Sequence, residues 1–356
     1  MATVAVKQDG SGDYTTITAA VAGTSGGDII EIQDSNQYNE DDIEILGGTR
    51  TIRAGSGVTP IIDGDSTSGG HAFETYSSGN VFQGLIIRNY TTQAINGQGA
   101  VGTGRNFKMV DCTVYGYGGP QSIAGGLGTS NYVEIERCKF IADSHRALNI
   151  VSGQNIFITN CFLATNDTEE AVLLSSKNYP NVTASHCTMI GQGDGSGGGR
   201  HYHLVTQVAQ VDNCIVQGTY GHGIQAETHY NNLVYVTDTN AYEFVAYNAD
   251  SYNGTAAAAG TGDIAGSSPL FVGTVVHESA YPGLDINLQT SSPAVDAGSS
   301  SVTLDLSGST RDSSPDIGAL EFIALGYANT LMGVAAGNLG KILDISKANV
   351  SKVIGT

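Results

Sequence analysis

The sequence predicts an all-β solenoid, a parallel β-helix, and two observations carry that expectation. One short phrase returns six times, as GLIIRNYT (84–91), FKMVDCTV (107–114), VEIERCKF (133–140), IFITNCFL (156–163), VTASHCTM (182–189) and AQVDNCIV (209–216). Aligning the phrases puts Tyr90, Cys112, Cys138, Cys161, Cys187 and Cys214 in one column, spaced by 22, 26, 23, 26 and 27 residues, and that column holds all 5 cysteines of the chain. Within each phrase apolar residues alternate ahead of the column, as Phe107 and Met109 or Ile156 and Ile158 do, which is the period of a strand with one buried face. The residue before the column is polar or charged (Asn89, Asp111, Arg137, Asn160, His186, Asn213) and marks a bend between two short strands. Such a unit cannot bury its apolar face alone, so successive units must stack in parallel and share a core.

Composition agrees. A chain of 356 residues with 48 Gly, no Trp and 14% charged residues suits many turns and stacked strands better than amphipathic helices. A net charge of −19 argues against a nucleic-acid partner, whose phosphates require Lys and Arg. The opening MATVAVKQDG lacks the apolar core of a signal peptide, and no run approaches 18 apolar residues, so neither membrane insertion nor ordinary export is expected.

Taken in order, residues 1–25 read as an N-terminal cap: a strand, a DGSGD turn and a short helix starting near Thr15 or Thr16, a lid for an open end of stacked strands. Residues 26–322 read as the helix body. Its first coils run through IIEIQ (29–33), IEIL (43–46), TIRA (51–54) and PIIDGD (60–65). The five stacked cysteines read as free, buried thiols, because parallel Cβ vectors fit neither disulfide geometry nor a tetrahedral zinc site. Coils continue through LVYVTDTNAYEF (233–244) and fade into a small-residue loop near 251–266.

The phrase VKQDGSGDYTTITAAV (6–21) resembles the opening of pectin methylesterases and of many other right-handed parallel β-helix proteins, and implies that fold. The esterases' paired Gln and Asp motifs do not follow, and their Arg-Pro-Trp segment is absent from a chain without Trp. The stretches SSPLFVG (267–273), DINLQTSSPAVDAG (285–298) and RDSSPDIGALEF (311–322) resemble the closing segment of secreted or surface β-helix proteins. That likeness implies a turn and a strand that finish the last coils, with Asp296, Arg311, Asp316 and Glu321 in structural roles.

Residues 323–356 change character. NLGKIL (338–343) and NVSKVI (349–354) repeat one hexapeptide pattern, and Lys341, Lys347 and Lys352 stand out against an acidic body. Short tandem segments of this type resemble the C-termini of structural proteins of tailed bacteriophages. The resemblance implies a virion protein, such as a decoration protein, fibre or tail spike, placed on the virion surface and tied to other virion proteins through the tail. Leu339, Ile342, Leu343, Val350, Val353 and Ile354 would be the attachment residues, too apolar for a solvated linker. A homo-oligomer such as a trimer, and contact with a bacterial surface glycan, complete that expectation.

Chemistry, if any, is expected at the turn after the second strand of each coil. Counting back from Ala147, Ala171 and Ile224 aligns His145, Glu169 and His222, then Arg146, Glu170 and Gly223, with Asp143 and Asp167 earlier. A column of carboxylates and histidines could serve as general acid and base in glycoside cleavage, so Asp143, Asp167, Glu169 and His222 are candidate catalytic residues. His145, Arg146, Glu170, His201 and His203 are candidate ligand contacts. GHG (221–223) resembles the Gly-His-Gly of polygalacturonases, which implies a polysaccharide-degrading, extracellular alternative. That family's paired aspartates lie one coil earlier, whereas Asp167 precedes His222 by 55 residues, and no Arg-x-Lys follows. The same column also reads as plain cross-rung ion pairs between His145 or Arg146 and Glu169 or Glu170. No cofactor and no metal site is expected; Asp63 and Asp65 are not repeated on a neighbouring coil.

Overall fold

The computed structural model describes residues 1–64, 70–90, 93–96, 106–116, 123–124, 132–142, 147–150, 155–165, 173–175, 182–191, 203–218, 222–236, 242–244, 255–256, 261–273, 284–299 and 302–322. The chain divides into two compact units, Met1–Glu321 and Phe322–Thr356.

Strands of the first unit stack in parallel as coils. One sheet passes through Thr3–Val6, Ile29–Ile32, Thr51–Ala54, Asn80–Gln83, Phe107–Val110, Tyr132–Glu136, Asn155–Thr159, Val182–Ser185, His203–Asp212, His222–Tyr230 and Tyr242–Phe244. A second sheet runs from Gln37–Asn39 through Ile86–Tyr90, Lys139–Ala142 and Ile215–Gly218 to Ile264–Ala265. A third, of Ile43–Ile45, His71–Thr75, Gln93–Asn96 and Ile123–Ala124, closes the side of the early coils. This is the parallel β-helix expected from the repeat. The phrase accounts for two strands per coil, and the third sheet is additional to it.

The polar residue of each phrase is where the coil turns. Asn89, Asp111, Arg137, Asn160, His186 and Asn213 all have φ between 51° and 62°, the left-handed region. Asn and Asp tolerate it because their short side chains can bond locally, whereas Arg and His must be held there by their surroundings. The next residue drops its side chain into the core, and the ladder runs unbroken across the bend. Lys139 N donates to Cys112 O at 2.8 Å, and Phe162 N to Cys138 O, Thr188 N to Cys161 O and Ile215 N to Cys187 O each at 2.9 Å.

All five cysteines are free and buried. Each thiol turns back on the carbonyl two residues earlier: Cys112 to Val110 O, Cys138 to Glu136 O, Cys161 to Thr159 O and Cys187 to Ser185 O at 3.3 Å, and Cys214 to Asp212 O at 3.2 Å. A cysteine therefore fills a small core site and offers a weak donor to a carbonyl beside the bend. Burial pushes the Cys112, Cys138, Cys161 and Cys214 thiols well up. The column continues past the last cysteine, because Asn231 takes the same bend at φ 52° and Asn232 the core position, donating to Val211 O at 3.0 Å and accepting from Cys214 N at 2.9 Å.

The lid helix spans Ile17–Gly23 with Thr16 as N-cap and buries Ile17, Ala20 and Val21. Glu40, from the first coil, accepts from Ile17 N at 2.8 Å and Thr18 N at 2.7 Å, satisfying two of the free amides at the helix start.

The closing segment departs from expectation. DIGALE (316–321) is no strand, and the small-residue loop contributes a further rung instead, Ile264–Ala265 pairing with Leu233–Val234. Ser299 and residues 302–321 form a strap over the bends. Ser299 N donates to Asn213 Oδ1 at 2.7 Å, Asn160 Nδ2 to Leu304 O at 2.5 Å, Arg311 Nη2 to Asn160 Oδ1 at 3.0 Å, and Ala319 N to Thr188 Oγ1 at 3.0 Å. The bends leave polar groups that a strand at the end of the stack could not reach, and the strap takes its hydrogen bonds from them. Gly318, at φ 108°, lies so close that a Cβ would stand 2.7 Å from the Ile215 side chain. Asp296, Arg311, Asp316 and Glu321 bond within this segment: the Asp296 backbone N donates to Asp316 Oδ1 at 2.7 Å, and Arg311 Nη1 to Glu321 Oε2 at 3.0 Å.

Candidate functional site

Strand alternation leaves two outward columns on the first sheet. Four residues before each cysteine stand Lys108, Glu134, Phe157, Thr183 and Gln210, joined rung to rung by the ladder. Two residues before stand Val110, Glu136, Thr159, Ser185 and Asp212.

Toward the C-terminal coils these columns are closed by their own bonds. Ser185 Oγ donates to Asp212 Oδ2 at 2.7 Å, and Gln210 Nε2 reaches Asp212 Oδ1 at 2.9 Å and the Tyr230 hydroxyl at 2.8 Å. Toward the middle of the stack the face is open. Tyr132 and Phe157 lie 5.3 Å apart between ring centroids, tilted by 42°, and are 43% and 37% exposed. Beside them Lys108 Nζ lies 3.2 Å from Glu134 and 3.0 Å from Glu136, while Arg137 pairs with Asp111 at 2.8 Å and also with Glu136. A groove of about 290 Å³ opens farther along the same strands, lined by Glu134, Glu136, Thr159 and Asn160 and by Val302, Thr303 and Leu304 from the strap.

Burial pulls the Lys108 ammonium down, but the bonds and charges of Glu136 and Glu134 outweigh it, and its pKa ends above the ordinary value. A lysine held this way is a poor general base. The arrangement can do something else: two aromatic faces side by side, with carboxylates, a guanidinium and an ammonium around them, suit a ligand that is apolar on its ring faces and polar at its edges.

Asp143, His145, Arg146, Asp167, Glu169, Glu170 and His201 lie outside the described residues, as do the tail positions Leu339, Ile342, Leu343, Val350, Val353 and Ile354. His203 and His222 are placed by backbone only, directly opposite each other in neighbouring rungs of the first sheet. The strand register differs from that column. Ile224 pairs with Val205, Val205 with Leu173, and Leu173 with Leu148, so Ile224 shares a rung position with Leu148 and Leu173 rather than with Ala147 and Ala171. Loops of unequal length absorb the differences in coil spacing, and a one-residue shift between Val205 and Val208 adds to them. Asp63 is bonded by Arg88 Nε at 2.6 Å and Asn89 Nδ2 at 2.8 Å. Tyr132 and Phe157 escaped the sequence reading, although an aromatic residue in an otherwise polar outward column was a usable signal.

No family model matches the chain, and no curated protein matches it. A solved structure titled "Crystal structure of pectate lyase Pel9A" superposes with a TM-score of 0.49 at 15% identity, covering 91% of this chain and 97% of that one. At that level the likeness says nothing of activity, and the β-helix rests on the strand pairing itself.

Proposed function

We propose that the protein is a glycan-contacting β-helix that holds a neutral polysaccharide against the outer face of its first sheet. The exposed Tyr132–Phe157 pair supports this reading best, with Glu134 shared between its neighbouring rung and the groove. Sugar rings present C–H faces to aromatic rings and hydroxyls to flanking charges, and a site rigid before binding loses little entropy on contact. The local charges sum to one negative unit, with Lys108 and Arg137 against Asp111, Glu134 and Glu136, and the whole chain carries −19, which disfavours a polyanionic ligand.

Binding to a panel of bacterial polysaccharides by isothermal titration, with reducing-end release followed in the same samples, tests it. The parent protein should bind at least one neutral polymer, and Tyr132→Ala with Phe157→Ala should weaken binding at least tenfold while leaving thermal unfolding in place. Binding that survives the double variant would overturn the assignment. Release of sugar ends lost in Asp167→Asn with Glu169→Gln would instead favour the depolymerase reading, a polysaccharide hydrolase or lyase.

The tandem hexapeptides at 338–343 and 349–354 favour mounting of this body on a phage particle through residues 323–356. Deleting 326–356 should leave the β-helix folded and abolish oligomerisation or particle attachment. A truncated protein that assembles normally would remove the virion reading and leave a free-standing extracellular glycan binder.

A further inference from the structure

The third sheet carries a cluster that the glycan reading does not use. Asp42 precedes the strand Ile43–Ile45, while His71 and Glu74 lie on the next strand, His71–Thr75. One ligand atom from each of the three falls within 4.8 Å of the others. We propose that Asp42, His71 and Glu74, completed by Asn96, bind one first-row divalent metal ion, best matched by Zn²⁺.

The spacing supports this. Two zinc ligands at about 2.0–2.1 Å in a tetrahedral arrangement stand about 3.4 Å apart, and His71 Nε2 lies 3.6 Å from Glu74 Oε1. Both groups are only partly exposed and held by their neighbours. The Tyr76 hydroxyl donates to Glu74 Oε2 at 2.9 Å, and His71 N donates to Asp42 Oδ1 at 2.8 Å. Asp42 has room only because residue 70 is glycine, since a Cβ there would stand 2.7 Å from Asp42 Oδ1.

Asn96 is buried, and its amide sits 3.0 Å from His71 Nε2 and 3.4 Å from Glu74 Oε1. It bridges a ring nitrogen and a carboxylate oxygen that would both be metal ligands. Turning the amide over presents Oδ1, an oxygen ligand, in place of the NH₂ group. The register also places Glu44 beside Glu74 on adjacent rungs, a like-charge contact that a cation relieves. Among the described residues no Lys or Arg pairs with Asp42, Glu44 or Glu74. One imidazole among oxygen donors favours Zn²⁺ and its neighbours over Ca²⁺ or Mg²⁺. The bound ion would clamp three successive coils, those of Ile43–Ile45, His71–Thr75 and Gln93–Asn96, at the N-terminal end of the stack.

Full-length, untagged protein stripped with chelator and titrated with ZnCl₂, CaCl₂ or MgCl₂ alone tests the site. One equivalent of Zn²⁺ should bind saturably, at least 100-fold more tightly than Ca²⁺ or Mg²⁺, and raise the unfolding temperature. His71→Ala should remove that site, and Asp42→Asn or Glu74→Gln should weaken it by 10- to 100-fold, with metal-free circular dichroism unchanged. Should His71→Ala fail to fold, Glu74→Gln and the visible spectrum of the Co²⁺-loaded parent decide: nitrogen–oxygen ligand bands that Glu74→Gln diminishes uphold the site. Absence of a saturable Zn²⁺ equivalent, or Zn²⁺ affinity unchanged by His71→Ala or Glu74→Gln, overturns it.

Discussion

The same left-handed bend is solved differently in two regions of the helix. In the middle coils Asp111 and Arg137 satisfy each other at the edge of solvent, Arg137 Nε donating at 2.8 Å to an Asp111 side chain that is 43% exposed. In the later coils the bends at Asn160 and Asn213 receive the strap, and the bend at His186 is buried with them. Exposed ion pairs gain little over water, whereas buried polar groups lose their full solvation if a partner is removed. The strapped bends should therefore hold much more of the stability than the open ones, although φ lies between 51° and 55° in both.

Arg311→Ala should break this comparison most severely. Its guanidinium is buried and bonds Glu321, Asn160 and the carbonyls of Gly318 and Ala319, so truncation strands a buried carboxylate at a cost of about 3–5 kcal/mol. Urea unfolding followed by circular dichroism measures the loss. Native labelling should sharpen the contrast: Cys161 and Cys187 should react faster with a thiol reagent in the variant, while Cys112, outside the strap, stays protected.

The next effect is a pH dependence. Burial, with the Arg311 charge adding to it, lowers the His186 pKa from 6.5 to about 3. The unfolded chain therefore binds a proton below pH 6.5 that the folded chain refuses, so this residue removes stability as pH falls from 6.5 toward 3 and has no such effect above 6.5. At pH 5 the loss is about 2 kcal/mol. His186→Asn keeps a residue that accepts the left-handed bend and deletes the titration, so its unfolding midpoint should exceed the parent's at pH 5 by much more than at pH 7.5. Equal gains at both pH values would mean that His186 does not titrate in this window.

Arg137→Ala should have the smallest effect. Its pairs with the partly exposed carboxylates of Asp111 and Glu136 are worth about 1 kcal/mol, and alanine keeps the Cβ, so the cost of φ 51° is unchanged. A loss comparable to that of Arg311→Ala would show that bend geometry, not the strap, sets stability, and would erase the distinction.

Much of this architecture was legible in the chain alone. The cysteine column, the bend residue before it and the alternating apolar positions are dictated locally, because a one-residue slip would move every core side chain to the solvent face. The short helix and its Thr16 cap were equally local. Tertiary structure decided what depends on distant segments. Asn232 continues the column without being a cysteine, and its role rests on Val211 and Cys214 in the preceding coil. Residues 316–321 read as a strand, but Gly318 N and Ala319 N bond Asn213 and Thr188, more than 90 residues away in sequence, and the segment lies across the bends as part of the strap. Coil loops of unequal length hid the register of Leu148, Leu173, Val205 and Ile224. Periodicity fixes which face of a strand is buried; which loops, aromatic rings and charges meet across rungs is set only when the coils stack.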